Sequence, residues 1–245
     1  MNTTPAMRWS SASLTDVGSV HTVNQDACLD LPAAGLWVVA DGVGGHNEGE
    51  VASQLIVDTL SHTGGHARLS DFVNAVEDRL HEVHKTLLDR AASRNKDMII
   101  GSTVAALLVV EQYGVCIWAG DSRLYRYRDG QLAQLTRDHS HVEELVANGG
   151  LQREEAEKHP HANVITRAVG AGEELFLDAG LQKLRNADRY LICSDGLYKE
   201  VSETEIAEHI KYGDCVTICR TLVALALERG AHDNVTVVAI NFEKA

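Results

Sequence analysis

Proline is scarce in this 245-residue chain, with three residues and no Pro-rich stretch to serve as a linker. No internal repeat or low-complexity tract breaks the sequence, so one domain over residues 1–245 is the expected organisation. Long hydrophobic runs are missing too. The longest, about Val104 to Val110, falls far short of a membrane span, and Met1 to Ser13 lacks the basic flank and apolar core of an export signal. No membrane insertion is expected, and the cytoplasm is the expected location. The five cysteines (Cys28, Cys116, Cys193, Cys215, Cys219) form no C-x-x-C pair, and four lie inside apolar runs, which predicts reduced core thiols. A Cys-x5-Arg phosphate loop is absent, because Lys199 and Thr221 stand where Cys193 and Cys215 would need Arg. Positive charge is short as well: 22 Lys and Arg against 35 Asp and Glu give a net −13, with no basic cluster. Nucleic acid, whose binding rests on neutralised phosphates, is excluded as a partner.

Carboxylates, by contrast, are abundant and placed in a pattern. Four Asp stand at the ends of short apolar runs: Asn24-Gln25-Asp26, Val39-Ala40-Asp41-Gly42, Cys193-Ser194-Asp195-Gly196 and His232-Asp233-Asn234. Each alone reads equally well as a turn, since Gly after Asp supplies φ > 0 and Asp bonds its own backbone. Converging at strand mouths, however, four poorly solvated like charges would require cations. The candidate site is therefore a hard divalent metal centre.

Periodicity places these motifs. Ala27–Leu31 and Leu36–Ala40 read as strands, with Gly42–Gly49 a loop. From about Glu50 the spacing turns helical, and a second apolar stripe from Leu69 to Leu87 predicts a helix ending near Ser93. Thr103–Val110, Val115–Ala119, Ser122–Arg128 and Gln131–Leu135 read as an antiparallel meander. Residues 138–172 are polar and rich in Glu and His, an exposed excursion with short helices. Strands are expected at Leu175–Leu181, Tyr190–Cys193 and Val235–Phe242, and helices at Glu203–Ile210 and Asp214–Glu228. Strand runs interrupted by paired helices indicate an α+β fold.

At these residues the sequence resembles the PP2C-type (PPM) metal-dependent serine/threonine protein phosphatases. The motifs come in that family's order: Thr15-Asp16-Val17-Gly18, Asn24-Gln25-Asp26-Ala27, Val39 to His46, Gly101-Ser102-Thr103, Ala119 to Arg123, Leu135 to Ser140, Thr166 to Gly170, Ser194 to Leu197 and His232 to Thr236. The matches span about residues 15 to 240. The resemblance implies a four-layer α-β-β-α sandwich of two antiparallel sheets flanked by helix pairs, with the excursion at 138–172 as a flap beside the cleft, placed to select substrates. The short Gly-rich loop and the ending at Ala245 resemble the compact bacterial branch.

The resemblance also implies a ligand set for two Mn²⁺ or Mg²⁺ ions. Asp41 would bridge them, Asp195 and Asp233 would hold one, and Asp26 with the Gly42 carbonyl would serve the other. Asp121 would touch a weaker third ion, although Lys199 stands where relatives often carry a further Asp. The implied activity is hydrolysis of phosphoserine and phosphothreonine in proteins, by attack of a water or hydroxide bridging the two ions. Two candidate catalytic residues depart from the family pattern. His21 replaces the usual phosphate-binding Arg, with Arg8 a candidate to compensate, and Val43 stands where some relatives place His, leaving His46 as the candidate general acid. The pairs His139/His141 and His159/His161 lack zinc-like spacing and read as surface or flap residues. The implied partners are phosphorylated proteins and a cognate Ser/Thr kinase with its substrates, type VI secretion control being one setting in which bacterial relatives act, and a monomer is expected. Two rival readings are a catalytically weak phosphoprotein-binding regulator of the same fold and a dimetal hydrolase of small nucleotides.

Overall fold

The computed structural model describes residues 7–44, 48–94, 99–156 and 159–244. In chain order these form β1 (Met7–Asp16), β2 (Asp26–Leu31), β3 (Leu36–Gly44), α1 (Glu48–Ser61), α2 (Leu69–Arg94), β4 (Ile100–Ser102), β5 (Val104–Val110), β6 (Tyr113–Ala119), β7 (Arg123–Arg128) and β8 (Gln131–Gln134). There follow α3 (His141–Ala147), α4 (Arg153–Ala156), β9 (Asp178–Lys183), β10 (Arg189–Cys193), α5 (Asp195–Tyr198), α6 (Glu203–Ile210), α7 (Cys215–Glu228) and β11 (Val235–Lys244). Two antiparallel sheets result, one in the order β1-β11-β10-β7-β8, the other β2-β3-β5-β6-β9 with β4 paired to the end of β3.

The layering follows from strands that are apolar on both faces. In β3, Val38 and Ala40 join Ile56, Leu60, Phe72 and Leu80 in a core beneath α1 and α2. Trp37 and Val39 point the opposite way and meet Tyr190, Ile192 and Phe242 of the facing sheet. Trp37 and Phe242 pack edge to face with centroids 6.2 Å apart. On the far side, Leu191 and Val237 lie in a third core with Ile218 and Leu222 of α7. Three apolar interiors between four layers make the α-β-β-α sandwich that the resemblance implies. Among the described residues no helix is long and apolar enough to cross a membrane.

Two local expectations need correction, and one strand lies outside them. The stretch Gly42–Gly49 is not all loop: β3 runs on to Gly44 and pairs with β4, and α1 begins at Glu48. Glu48 is buried, and its carboxylate takes Arg90 at 2.8 Å and Arg94 at 2.9 Å, which anchors the start of α1 to α2. The strand expected at Leu175–Leu181 starts at Asp178, because Leu175 is drawn into the α1–α2 core. Finally, β1 carries no strong sequence signal, since its Met-Arg-Trp-Ser-Ser-Ala-Ser-Leu-Thr-Asp mixes polar and apolar residues on both faces. Ten successive pairings with β11 create it.

Candidate metal centre

Asp26 opens β2 and Asp41 lies near the end of β3, and the hairpin register sets them directly opposite each other. Neighbouring segments fix both backbones. The Asp41 N–H donates to Thr103 Oγ1 at 3.0 Å and its carbonyl accepts from the Thr103 N–H at 2.8 Å, while Thr103 and Ser122 hydroxyls meet at 2.7 Å. The Asp26 Oδ2 accepts from the hydroxyls of Ser194 and Thr236, each at 2.7 Å. Gly42 has no room for a side chain: a Cβ there would stand 2.1 Å from the Gly49 carbonyl oxygen and 2.6 Å from that of Gln25. The glycine thus lets the start of α1 close over the hairpin, a packing demand separate from the ligand role that the resemblance gives its carbonyl.

The facing sheet supplies Asp195 and Asp233. Asp195 begins the single turn α5 after β10, and Asp233 precedes β11. A Cβ on Gly196 would stand 2.1 Å from the Asn234 carbonyl oxygen, so this glycine allows the two loops to touch. Asn234, buried, is the joint. Its Oδ1 accepts from the Gln25 N–H at 2.8 Å, and its Nδ2 donates to the carbonyls of Val17 at 2.8 Å and Val23 at 3.2 Å. Sequence motifs include Ser194, Thr236 and Asn234 but reveal nothing of these roles, because their partners lie some 170 to 220 positions away.

Asp121, on the link from β6 to β7, is buried beside this group. Its carbonyl accepts from the Tyr198 hydroxyl at 3.1 Å, and the Arg123 guanidinium lies 3.6 Å from the centre of the Tyr198 ring. Arg123 itself forks onto Asp138, with Nε to Oδ1 at 3.1 Å and Nη2 to Oδ2 at 2.8 Å. Lys199 sends its Nζ to Asp195 Oδ2 at 2.5 Å.

The electrostatics are those of a crowd of like charges. Burial, then Asp195 and Asp233, push Asp26 up to about 8, outweighing the Ser194 and Thr236 hydrogen bonds. Burial and the carboxylates of Asp26, Asp195, Asp121 and Asp233 push Asp41 well above the ordinary range. Asp121 rises to about 7 through burial and Asp195, with Lys199 pulling the other way. Asp195 Oδ1 is buried and has no hydrogen-bond partner among the described residues. An orphaned anionic oxygen amid mutually repelling carboxylates fits a cation, and an all-oxygen donor set fits Mg²⁺ or Mn²⁺. Among the described residues, no three His, Cys, Asp or Glu side chains stand close enough as posed to hold an ion, so the acids share one field rather than a finished cage.

The histidines divide sharply. His21 is half exposed, with Nε2 3.5 Å from Asp233 Oδ1, at the rim of the centre. His46 lies outside the described residues. Arg8 is not available to help His21: it pairs with Glu243 while Thr15 pairs with Thr236, which puts it roughly 23 Å along the strand from the site end. His139 is no surface residue. Buried and stacked on Trp118, it accepts the Gly120 N–H on Nδ1 at 3.2 Å and turns Nε2 to Asp178 Oδ2 at 3.2 Å, which steadies the loop leading into Asp121. His141, His159 and His161, separate in sequence, cluster in the excursion with ring centres 5.6 to 6.4 Å apart.

Comparison with known proteins shows the family. Residues 18–215 match the family described as protein phosphatase 2C. The serine/threonine protein phosphatase PstP of Mycobacterium tuberculosis is 35% identical over 227 residues, covering 93% of this chain. The chain spans 44% of that relative's length. Among solved structures, PppA, a key regulatory component of the type VI secretion system in Pseudomonas aeruginosa, superposes with a TM-score of 0.90 at 41% identity, covering 97% of this chain and 99% of that one. The catalytic domain of PstP in complex with two manganese ions gives a TM-score of 0.83 at 33% identity, covering 98% of this chain and all of that one.

Proposed function

Because this chain belongs to the protein phosphatase 2C family, we propose that it is a metal-dependent phosphatase that removes phosphate from serine and threonine side chains of proteins. The observation that carries this reading is that Asp26 and Asp41 from one sheet share a field with Asp195 and Asp233 from the other, leaving Asp195 Oδ1 without a hydrogen-bond partner among the described residues. Asp41, opposite Asp26 and in the field of all the others, would bridge two ions. Asp195 and Asp233 would hold one, and Asp26 with the Gly42 carbonyl the other. When bound, two such ions neutralise the phosphate dianion and acidify water to a nucleophile near neutral pH.

The protein's own contribution is position. Ser194 and Thr236 hold the Asp26 carboxylate in one orientation. Thr103 clamps the Asp41 backbone on both sides. Asn234 keeps the segment from Val17 to Gln25 against the Asp233 loop, so the acids are aligned before substrate arrives. His21 at the rim would donate to a phosphate oxygen, a single weaker contact than an Arg fork. His46 remains the candidate proton donor to the departing serine or threonine oxygen.

The likeness to PppA, a key regulatory component of type VI secretion, supports a role in type VI secretion control. We further propose a partner of the Ser/Thr kinase class and a cytoplasmic monomer of one domain with the flap at 138–172. The deciding assay is Mn²⁺-dependent phosphate release from phosphoserine and phosphothreonine peptides, compared with phosphotyrosine and cyclic nucleotides. Release confined to the first two, and lost in Asp41→Asn, is expected. Preference for cyclic nucleotides would overturn the assignment.

A further inference from the structure

Lys199 is the one cation that enters the acid cluster from the chain itself, among the described residues. Its N–H donates to the Asp195 carbonyl at 3.0 Å in the α5 turn, which places its side chain over the Asp195 carboxylate one turn back. Nζ then reaches Asp195 Oδ2 at 2.5 Å, within the field of Asp121 and Asp233. The other carboxylate near Asp121, Asp138, is already neutralised by the Arg123 fork.

Charge matching decides what Lys199 is for. Asp26, Asp41, Asp121, Asp195 and Asp233 together carry five negative charges when ionised. Two divalent ions leave one of these unbalanced, and a single ammonium closes the account. A third divalent ion added beside Lys199 would overshoot by two positive charges, in a pocket where Asp121 is buried and uncompensated charge is costly. Replacing Lys199 by Asp makes six carboxylates, which three divalent ions match.

We propose that the Lys199 ammonium is a resident cation that takes the place of a third metal ion beside Asp121 and Asp195, limiting this centre to two divalent ions. The inference rests on the reading that those two ions bind at all, and the test separates the two claims. Bound Mn²⁺ is counted by titrating stripped protein and following the electron paramagnetic resonance signal of the free ion. Wild-type protein should saturate at two ions, and Lys199→Asp should take a third, weaker one. Three ions on the wild type, or two on both proteins, would overturn the role of Lys199. No bound ion on a folded wild-type protein would overturn the metal centre itself.

A second variant guards against misreading a loss of fold. Lys199→Met keeps most of the side-chain volume and removes the charge. In chelator at neutral pH it should melt about 2–4 °C below wild type, the shift that loss of one partly exposed ion pair gives a chain of this size. Equal melting temperatures would show that Lys199 neutralises nothing in the metal-free protein and would also overturn the proposal.

Discussion

Replacing an acid of the proposed metal centre should make the metal-free protein more stable. Asp26 is buried, its carboxyl is pushed from 3.8 to about 8, and burial is the largest cause. A carboxyl whose folded pKa is raised contributes its full share of stability below about pH 4 and loses it as pH climbs through about 8, because the folded chain holds a proton that the unfolded chain releases. Each pKa unit corresponds to about 1.4 kcal/mol, so the full shift would amount to roughly 5–6 kcal/mol. Neighbouring carboxylates take up part of the proton load, which leaves on the order of 2–3 kcal/mol at about pH 8. Asparagine at this position keeps an oxygen to accept the Ser194 and Thr236 hydroxyls while removing the charge. For a chain of this length the gain is roughly 5–10 °C in Tm. Circular dichroism melts in chelator should therefore show Asp26→Asn above wild type at about pH 8, with the gap narrowing toward about pH 5. Saturating Mn²⁺ should invert the order, raising wild type and scarcely moving the variant. A variant that melts at or below wild type at about pH 8 in chelator would refute the claim that these carboxylates are uncompensated.

Other perturbations probe the frame around the acids. Gly42→Ala would drive a Cβ into the Gly49 and Gln25 carbonyls, so it should cost roughly 1–3 kcal/mol in urea unfolding and weaken Mn²⁺ binding measured by calorimetry. Thr103→Val strips the Asp41 N–H of its acceptor and should lower stability by about 1–3 kcal/mol, with phosphatase activity falling further than Tm alone accounts for. His21→Arg should lower KM for a phosphopeptide by about tenfold with little change in kcat, because a permanent fork replaces one rim donor. An unchanged or higher KM would remove His21 from the phosphate site.

Much of the architecture is legible in the sequence because its strands are apolar on both faces and end in Asp, Gly or Asn. β2, β5, β6, β10 and β11 all fall within a few residues of where periodicity puts them. β1 is not legible, because its partly buried polar residues find partners only in the fold; Ser11, for example, donates to Asp30 at 2.5 Å. At the centre, the motifs locate the acids but not what aligns them. Asn234 and Thr236 look like the tail of one motif, whereas their hydrogen bonds reach Val17, Val23, Gln25 and Asp26. His139 shows the same limit: its acidic partner is 39 positions downstream, and only the pairing of β6 with β9 brings Asp178 beside it.

The acids of the centre come from both halves of the sandwich, Asp26 and Asp41 from one sheet and Asp195 and Asp233 from the other. Across their shared interior those sheets meet through side chains such as Trp37 and Phe242. An ion held by the proposed centre would be gripped from both sides, a rivet through two plates, each of which carries its own helices. Ion supply would thereby set how long the molecule survives unfolding and proteolysis, as well as how fast the proposed reaction turns over. On the proposed function, a cell short of the metal would lose the protein's abundance along with its rate, so that a change in ion level would reach its phosphoprotein substrates through two channels at once.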